Sequence, residues 1–274
     1  MSPEPIQPRV DIYPKTIDTK WARMKYWLSI FFTFNFSLLI FHCGLDIEDP
    51  TPPSPPIWVQ KSLPEEWPER GIDAHEEGGI SLEWKASPED DVIAYSIYRA
   101  TYYDVNDSLG NFSILTHMEI DALYALTYID KNVAKNIPYY YKICAVGSSG
   151  NKSDYSDSLS YTSLKIINPH SMVPNGQSVS LPQDRKLLWR NYCLNEMEDY
   201  CITVLTQENE LVTRTLLQPT DYFMGEEYFQ IPAESILDSG GIYRWRVDVG
   251  AQYVDNRETS GSESSWATFL YAGD

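Results

Sequence analysis

Apolar and polar residues alternate along much of the chain after residue 57. Every second residue is apolar in ISLEW (80 to 84), and YYYKICAV (139 to 146) shows the same spacing. A spacing of two places side chains on one face of a β-strand. The pattern predicts strands in the first half at 80–84, 92–100, 112–117, 127–130, 139–146 and 157–164.

The second half repeats this order of apolar segments. KLLWR (186 to 190) corresponds to ISLEW, and GIYRWRVDV (241 to 249) corresponds to YYYKICAV, with further strands predicted at 199–205 and 228–232. Turn sequences such as SPEDD and GSSGN separate the segments, and no long amphipathic helix interrupts them. Many short strands with turns between them predict an all-β fold. The repeat favours two tandem β-sandwiches over one larger sandwich whose strands mix.

The first 43 residues follow a different pattern. The apolar run from 26 to 42 holds no Asp, Glu, Lys or Arg, and Lys20, Arg23 and Lys25 precede it. A basic flank before an apolar run is typical of a signal peptide or a membrane anchor helix, and the length fits either. Because basic flanks stay on the cytoplasmic side, the rest of the chain is predicted to lie outside the cytoplasm.

Cys43 stands at the end of this run. Read from Met24, the sequence MKYWLSIFFTFNFSLLIFHC resembles the signal peptide of bacterial envelope lipoproteins. The resemblance implies lipid attachment at Cys43, and an uncleaved anchor helix in a chain that starts at Met1 is the alternative. Residues 44–56 are acidic and rich in proline, which predicts an extended linker between the membrane and the first sandwich.

A second resemblance concerns the first sandwich. ISLEW, IAYSIYRA and the run V-x-x-x-x-x-Y-x-Y-x-I-x-A from Val133 to Ala145 resemble a fibronectin type III domain, an immunoglobulin-like β-sandwich, over residues 57–164. The resemblance implies that Trp84 is a core tryptophan. It also implies that Tyr139 is the corner tyrosine, whose hydroxyl bonds a nearby main-chain group.

The second half carries a more divergent version of these motifs. L-x-W, Y-x-W-R-V and the closing segment SGSESSWATFL together resemble a second fibronectin-like sandwich over residues 165–274. Trp189 and Trp245 are the core tryptophans that this resemblance implies.

Charge narrows the classes of partner. The formal net charge is −18, and the part after Cys43 has 16 basic against 36 acidic side chains. Such a surface repels phosphate backbones, so nucleic-acid binding through a basic footprint is excluded. The negative charge favours solubility and contacts with basic partners.

Motifs for catalysis, metals and cofactors are missing from the sequence. It contains no H-E-x-x-H, no G-x-S-x-G and no phosphate-binding loop. The histidines and cysteines lack the spacing of paired zinc ligands. We therefore expect no enzymatic activity, no cofactor and no metal.

Two pairs of residues are candidates for special chemistry. Cys193 and Cys201 flank a predicted turn, and a disulfide between them is plausible in an oxidising compartment. Tyr102 and Tyr103 lie outside the strand pattern and could stack on sugar rings.

The function expected from these features is binding outside the cytoplasm. The sequence predicts a cell-envelope lipoprotein, tethered to the membrane, that contacts an unknown extracytoplasmic protein or glycan. The alternatives are a carbohydrate-binding accessory module and an envelope hydrolase.

Overall fold

The computed structural model describes residues 51–62, 68–103, 108–120, 126–191, 198–220, 225–254 and 257–273. The apolar run, Cys43 and the first part of the linker lie outside these ranges, so the predictions made for them stay predictions. Within the described ranges, no helix has the length and apolar character needed to cross a membrane.

Strands dominate the described part of the chain, which confirms the all-β prediction. The first half contains β1 (Ile57–Trp58), β2 (Ile72–Ala74), β3 (Ile80–Lys85), β4 (Val92–Tyr103), β5 (Ser108–Leu109), β6 (Ser113–Glu119), β7 (Thr127–Asp130), β8 (Pro138–Gly147) and β9 (Leu159–Ser163). The second half contains β10 (Lys186–Arg190), β11 (Glu198–Thr206), β12 (Leu211–Leu217), β13 (Glu226–Gln230), β14 (Ile242–Val254), β15 (Arg257–Glu263) and β16 (Ala267–Leu270). A short 3₁₀ turn at Pro169–Ser171 lies between the two sets.

The first half folds into two facing sheets. In one, β3 pairs antiparallel with β1, β2 and β7. In the other, β4 lies between β6 and β8, and β8 pairs on its far side with β9. The alternation read from the sequence decides which side chains fill the space between the sheets. Ile97 from β4 and Ile143 from β8 are both fully buried there.

The second half repeats this arrangement. Strands β10 and β13 pair as β3 and β7 do. Strand β11 lies between β12 and β14, and β14 pairs with both β15 and β16. The same order of pairing in both halves reflects the sequence repeat.

Each sandwich has its own cluster of buried side chains. Trp84 belongs to the first cluster, while Trp189 and Trp245 belong to the second. Trp84 meets Tyr95 edge to face with ring centroids 5.5 Å apart, and Trp189 meets Tyr200 in the same way at 5.1 Å. Edge-to-face contact is a favoured geometry for aromatic pairs, so the two cores are built around the same contact.

A tyrosine fixes the chain just before the long central strand of each sandwich. The hydroxyl of Tyr139 accepts a hydrogen bond from the Ala134 N–H at 2.9 Å. In the second sandwich the hydroxyl of Tyr243 accepts one from the Asp238 N–H at 2.7 Å. The sequence analysis singled out Tyr139 but not Tyr243, because the motif is more divergent in the second half.

The two sandwiches are joined by main-chain hydrogen bonds as well as by the connecting segment. Strands β9 and β15 pair in parallel, with Thr162 opposite Ser260. The Leu164 N–H donates to the Gly261 carbonyl at 2.8 Å, and the Ser262 hydroxyl donates to the Lys165 carbonyl at 2.9 Å. One continuous sheet of ten strands therefore runs through both sandwiches.

The last part of the predicted linker lies against the first sandwich. Pro53 and Pro56 are buried, and the Ser54 N–H donates to the Glu89 carboxylate at 3.0 Å. The side-chain amide of Asn151 donates to the Thr51 carbonyl. Residues 51–56 are thus part of the folded body, and only the preceding residues remain for a spacer.

Candidate binding face

The sheet formed by β4, β6 and β8 turns one face to the core of the first sandwich and the other away from it. Tyr95, Ile97, Tyr141 and Ile143 fill the core side. Because neighbouring residues of a strand point to opposite faces, Lys142 of β8 lies on the outer side. Tyr98 of β4 pairs with Lys142 in register and lies on that side too.

The segment that follows β8 adds an aromatic ring to this outer side. The Ser153 N–H donates to the Ala145 carbonyl, and the Ser153 hydroxyl accepts from the Ala145 N–H. Ser156 makes the same pair of bonds with Ile143. These bonds hold the segment against β8, and the ring of Tyr155 lies over Lys142 of that strand with 47% of the residue exposed.

Lys142 lies between two aromatic rings on this outer side. Its Nζ is 3.6 Å from the centroid of the Tyr155 ring and 4.4 Å from that of Phe112. Tyr98 meets Tyr155 edge to face, with centroids 5.1 Å apart and planes at 84°. Ile114 of β6 pairs with Tyr98 in register and is 56% exposed. We call these five residues the outer aromatic face.

Lys152 extends the positive charge along the same side. Its Nζ donates to the hydroxyl of Tyr98 at 3.5 Å. This hydrogen bond raises the pKa of Lys152 above its usual value. Lys152 is exposed, so its ammonium group remains accessible to a partner.

The second sandwich has a related arrangement on its outer side. The ring of Trp266 lies against the guanidinium groups of Arg244 and Arg246, 4.3 and 5.0 Å from its centroid. Arg246 also forms ion pairs with Asp248 at 2.9 Å and with Glu263 at 2.6 Å. Here Arg246 is paired with two carboxylates of the same chain.

A cavity of about 280 Å³ lies where the two sandwiches meet. Asp73, Glu69, Glu83 and Lys61 line it from the first sandwich, and Glu263 lines it from the second. Burial, together with the negative charges of Glu263 and Glu69, raises the pKa of Asp73 to about 8. Burial also raises the pKa of Glu263, although Arg246 opposes the shift.

The raised pKa values predict that stability falls as the pH rises. Asp73 binds a proton more tightly in the folded than in the unfolded chain. Its contribution to the free energy of unfolding is therefore complete below the pKa of Asp73 in the unfolded chain, near 4. That contribution is lost as the pH rises towards about 8. We expect the melting temperature of the wild type to decrease between about pH 5 and pH 8, and Asp73→Asn to flatten this slope.

Thermal unfolding followed by circular dichroism across this pH range measures the effect. The exposed Asp184→Asn serves as the matched control and should keep the wild-type slope. If the melting temperatures of the wild type and Asp73→Asn change with pH in parallel, the raised pKa of Asp73 is contradicted.

The structure places the residues singled out from the sequence in different regions. Trp84, Trp189 and Trp245 are each at most 1% exposed, inside the two cores. Tyr102 and Tyr103 end β4, where their backbones pair with β5. Their side chains lie outside the described part of the chain, so the glycan contact stays a prediction.

The predicted disulfide also stays a prediction. Cys201 is fully buried in β11, and its sulfur lies 4.0 Å from the hydroxyl oxygen of Thr203. Cys193 lies outside the described residues. In the described ranges, no group of three or more His, Cys, Asp or Glu side chains could hold a metal ion.

Sequence analysis did not single out Lys142, Phe112 or Tyr155. Lys142 lies on a predicted strand, but the residue that covers it comes from a segment with no regular alternation. No pattern in the sequence placed Tyr155 beside Lys142, because the serine hydrogen bonds that hold its segment against β8 are known only from the structure.

Comparisons with known proteins give similar solved structures only. No family model matches the chain, and no curated protein matches it. An Fn3-like protein from Clostridium thermocellum is 18% identical over 43% of this chain and 100% of its own, with a TM-score of 0.30. The chicken CNTN1 FN1–FN3 domains are 14% identical over 82% of this chain and 68% of theirs, with a TM-score of 0.31. The fibronectin type-III domain of human fibronectin type III domain containing protein 3 is 23% identical over 46% of this chain and 98% of its own, with a TM-score of 0.29.

The class of the protein follows from its own strand pairing. In the first half, the sheet built around β3 faces the sheet built around β4 and β8. In the second half, the sheet built around β10 faces the sheet built around β11 and β14. Two facing antiparallel sheets with an apolar core between them define a β-sandwich. The described part of the chain is therefore all-β and consists of two β-sandwiches.

Proposed function

We propose that this protein is a non-catalytic binding protein that is tethered to a membrane and works outside the cytoplasm. Residues 1–43 form its leader and anchor, with a lipid on Cys43. Two fibronectin type III modules, at 57–164 and 165–274, follow in tandem. The outer aromatic face of the first module is the surface that contacts a partner protein.

The observation that carries this proposal is the outer aromatic face itself. Three aromatic rings and an exposed isoleucine surround Lys142 on the side of the sheet that faces away from the core. Aromatic residues are enriched in protein interfaces because they offer a large contact area at a low cost in conformational entropy. Fold alone does not fix a partner, so the proposal rests on these side chains.

A comparative capture experiment tests the binding proposal. The full chain with a C-terminal tag is purified from cross-linked membranes of its source cells, as wild type, as Tyr155→Ala and as Lys186→Gln. We expect at least one partner that is recovered with the wild type and with Lys186→Gln but is depleted severalfold with Tyr155→Ala. Lys186 is the control because it lies over the Tyr228 ring in the second sandwich, away from the outer aromatic face. Equal recovery with all three proteins would refute a role for this face.

Mass spectrometry tests the tether. The mature protein in the membrane fraction is expected to begin at a lipid-modified Cys43. A chain that begins at Met1 or Met24 and carries no lipid would support the uncleaved anchor helix instead. Recovery of the intact chain in the soluble fraction of the cytosol would contradict both versions.

A further inference from the structure

Lys142 and Lys152 differ from other lysines of this acidic protein in what they contact. Lys61 pairs with Glu69 and Glu83, Lys131 with Glu77, and Lys186 with Asp184. In the described part of the chain, Lys142 and Lys152 form no ion pair with a carboxylate and contact aromatic side chains instead. Lys135 also has no carboxylate partner among the described residues, but its Nζ donates to the Gly78 carbonyl and the Ser163 hydroxyl. Lys142 and Lys152 therefore differ in combining contacts to aromatic side chains with the lack of a carboxylate partner there.

In the second sandwich, the cation at the position equivalent to Lys142 is paired with carboxylates. The Ile143 carbonyl accepts a hydrogen bond from the Ser156 N–H, and the Ile143 N–H donates to the Ser156 hydroxyl. Val247 makes the same two hydrogen bonds with Ser264, so Ile143 and Val247 occupy equivalent positions. Lys142 and Arg246 each precede these residues and are therefore equivalent as well. Arg246 has two carboxylate partners, and one of them, Glu263, directly precedes the serine.

The first sandwich lacks both of these carboxylates. Cys144 stands where the second sandwich has Asp248, and Tyr155 stands where it has Glu263. The first sandwich therefore has a cation at this position but, at the two positions where the second sandwich has anions, residues that carry no charge at neutral pH. A ligand that supplies carboxylates would restore at Lys142 the pairing that Arg246 has within its own chain.

The geometry of the rings favours a protein over a polysaccharide as the source of those carboxylates. Sugar rings stack on flat, accessible aromatic faces. Lys142 covers a face of the Tyr155 ring at 3.6 Å, and the planes of Tyr98 and Tyr155 are nearly perpendicular. The flat ring surface left for a sugar is therefore reduced, and the exposed Ile114 beside the rings adds an apolar contact suited to a protein side chain.

From these observations, we propose that the outer aromatic face binds an acidic segment of a partner protein, with carboxylates of that segment pairing with Lys142 and Lys152. The proposal rests on the proposed function, since it names the chemistry of the partner at the same surface. The remaining negative charge of the protein disfavours acidic segments at its other surfaces, so local pairing with the two lysines selects this one.

Fluorescence polarisation with defined probes tests the proposal on the purified full chain in detergent. The first probe is a labelled peptide of about twelve residues in which glutamate alternates with threonine, and the second replaces each glutamate with glutamine. We expect binding of the glutamate peptide only, with a loss of affinity when NaCl rises from about 50 to about 300 mM. The double variant Lys142→Gln/Lys152→Gln should weaken binding about tenfold, a magnitude expected for two partly exposed ion pairs.

Lys186→Gln is the matched control, because Lys186 also lies over a tyrosine ring but already has Asp184 as a partner. Its affinity for the peptide should equal that of the wild type, and all three proteins should melt at the same temperature. Absence of peptide binding, or equal binding by the double variant, overturns the proposal.

Polygalacturonate serves as a third probe. If it binds through the two lysines while the peptide does not, the ligand is an anionic glycan and the proposal of an acidic protein segment is wrong. If the capture experiment yields a partner that depends on Tyr155 while the glutamate peptide does not bind, the proposed function stands and only the acidic chemistry fails.

Discussion

Replacing Trp84 with alanine is expected to lower the free energy of unfolding by about 3 to 5 kcal/mol. Trp84 is 1% exposed and packs against Tyr95 and the rest of the first cluster. Removing the indole loses its transfer free energy and leaves a cavity that the stiff strands around it fill only in part. Urea unfolding of the full chain in detergent, followed by tryptophan fluorescence and circular dichroism, measures the loss.

Ile236→Ala is the control for this experiment. Ile236 is 85% exposed, so its truncation should change the free energy of unfolding by no more than about 0.5 kcal/mol. A loss below about 1 kcal/mol for Trp84→Ala would mean that this tryptophan does not fill the first core.

Replacing Asp130 with alanine should be comparably damaging, at about 3 to 5 kcal/mol. Asp130 ends β7 with 1% of its surface exposed, and it accepts hydrogen bonds from Arg99 at 2.7 Å and from the Tyr141 hydroxyl at 2.9 Å. Its second oxygen accepts from the Asn132 N–H at 3.0 Å. Without the carboxylate, a partly buried guanidinium and a buried hydroxyl lose their partner, and that loss costs more than the pair itself contributes.

An exposed ion pair provides the comparison. Asp184→Ala removes the partner of Lys186, which is well exposed, and should cost no more than about 1 kcal/mol. The double variant Arg99→Leu/Asp130→Leu should recover part of the stability lost in Asp130→Ala, because it leaves no unpaired charge. Similar values for Asp130→Ala and Asp184→Ala in urea unfolding would contradict the structural role of the buried carboxylate.

Most of the longer strands with one buried face could be predicted from the sequence. TYID at 127–130 and KLLWR at 186–190 match β7 and β10 residue for residue. The prediction missed β1, β2, β5, β12, β15 and β16. Strand β12, LVTRTLL, pairs with β11 alone and is only partly buried, so its apolar residues do not alternate cleanly. Strand β15 is rich in serine and glycine, and main-chain pairing with β14 and β9 holds it in place.

Besides these strands, the sequence could not predict which acidic residues are buried. Asp130 and Glu227 look like surface residues in the sequence, yet both are at most 1% exposed. Glu227 accepts hydrogen bonds from the N–H and the hydroxyl of Thr220. Whether a carboxylate is buried depends on donors from other strands, and these are known only once the strands are in place.

The local pattern of the chain determined its class. Alternation at a spacing of two, repeated in two halves, requires strands with one buried face, and the aromatic positions on that face supply the cores. Only the tertiary structure decided which surface can bind. Lys142, Phe112 and Tyr155 come from separate segments, and they meet because the pairing of β4, β6 and β8 and the serine bonds to β8 bring those segments together. The junction was decided in the same way, since β9 and β15 are joined by main-chain hydrogen bonds, which no side-chain pattern specifies.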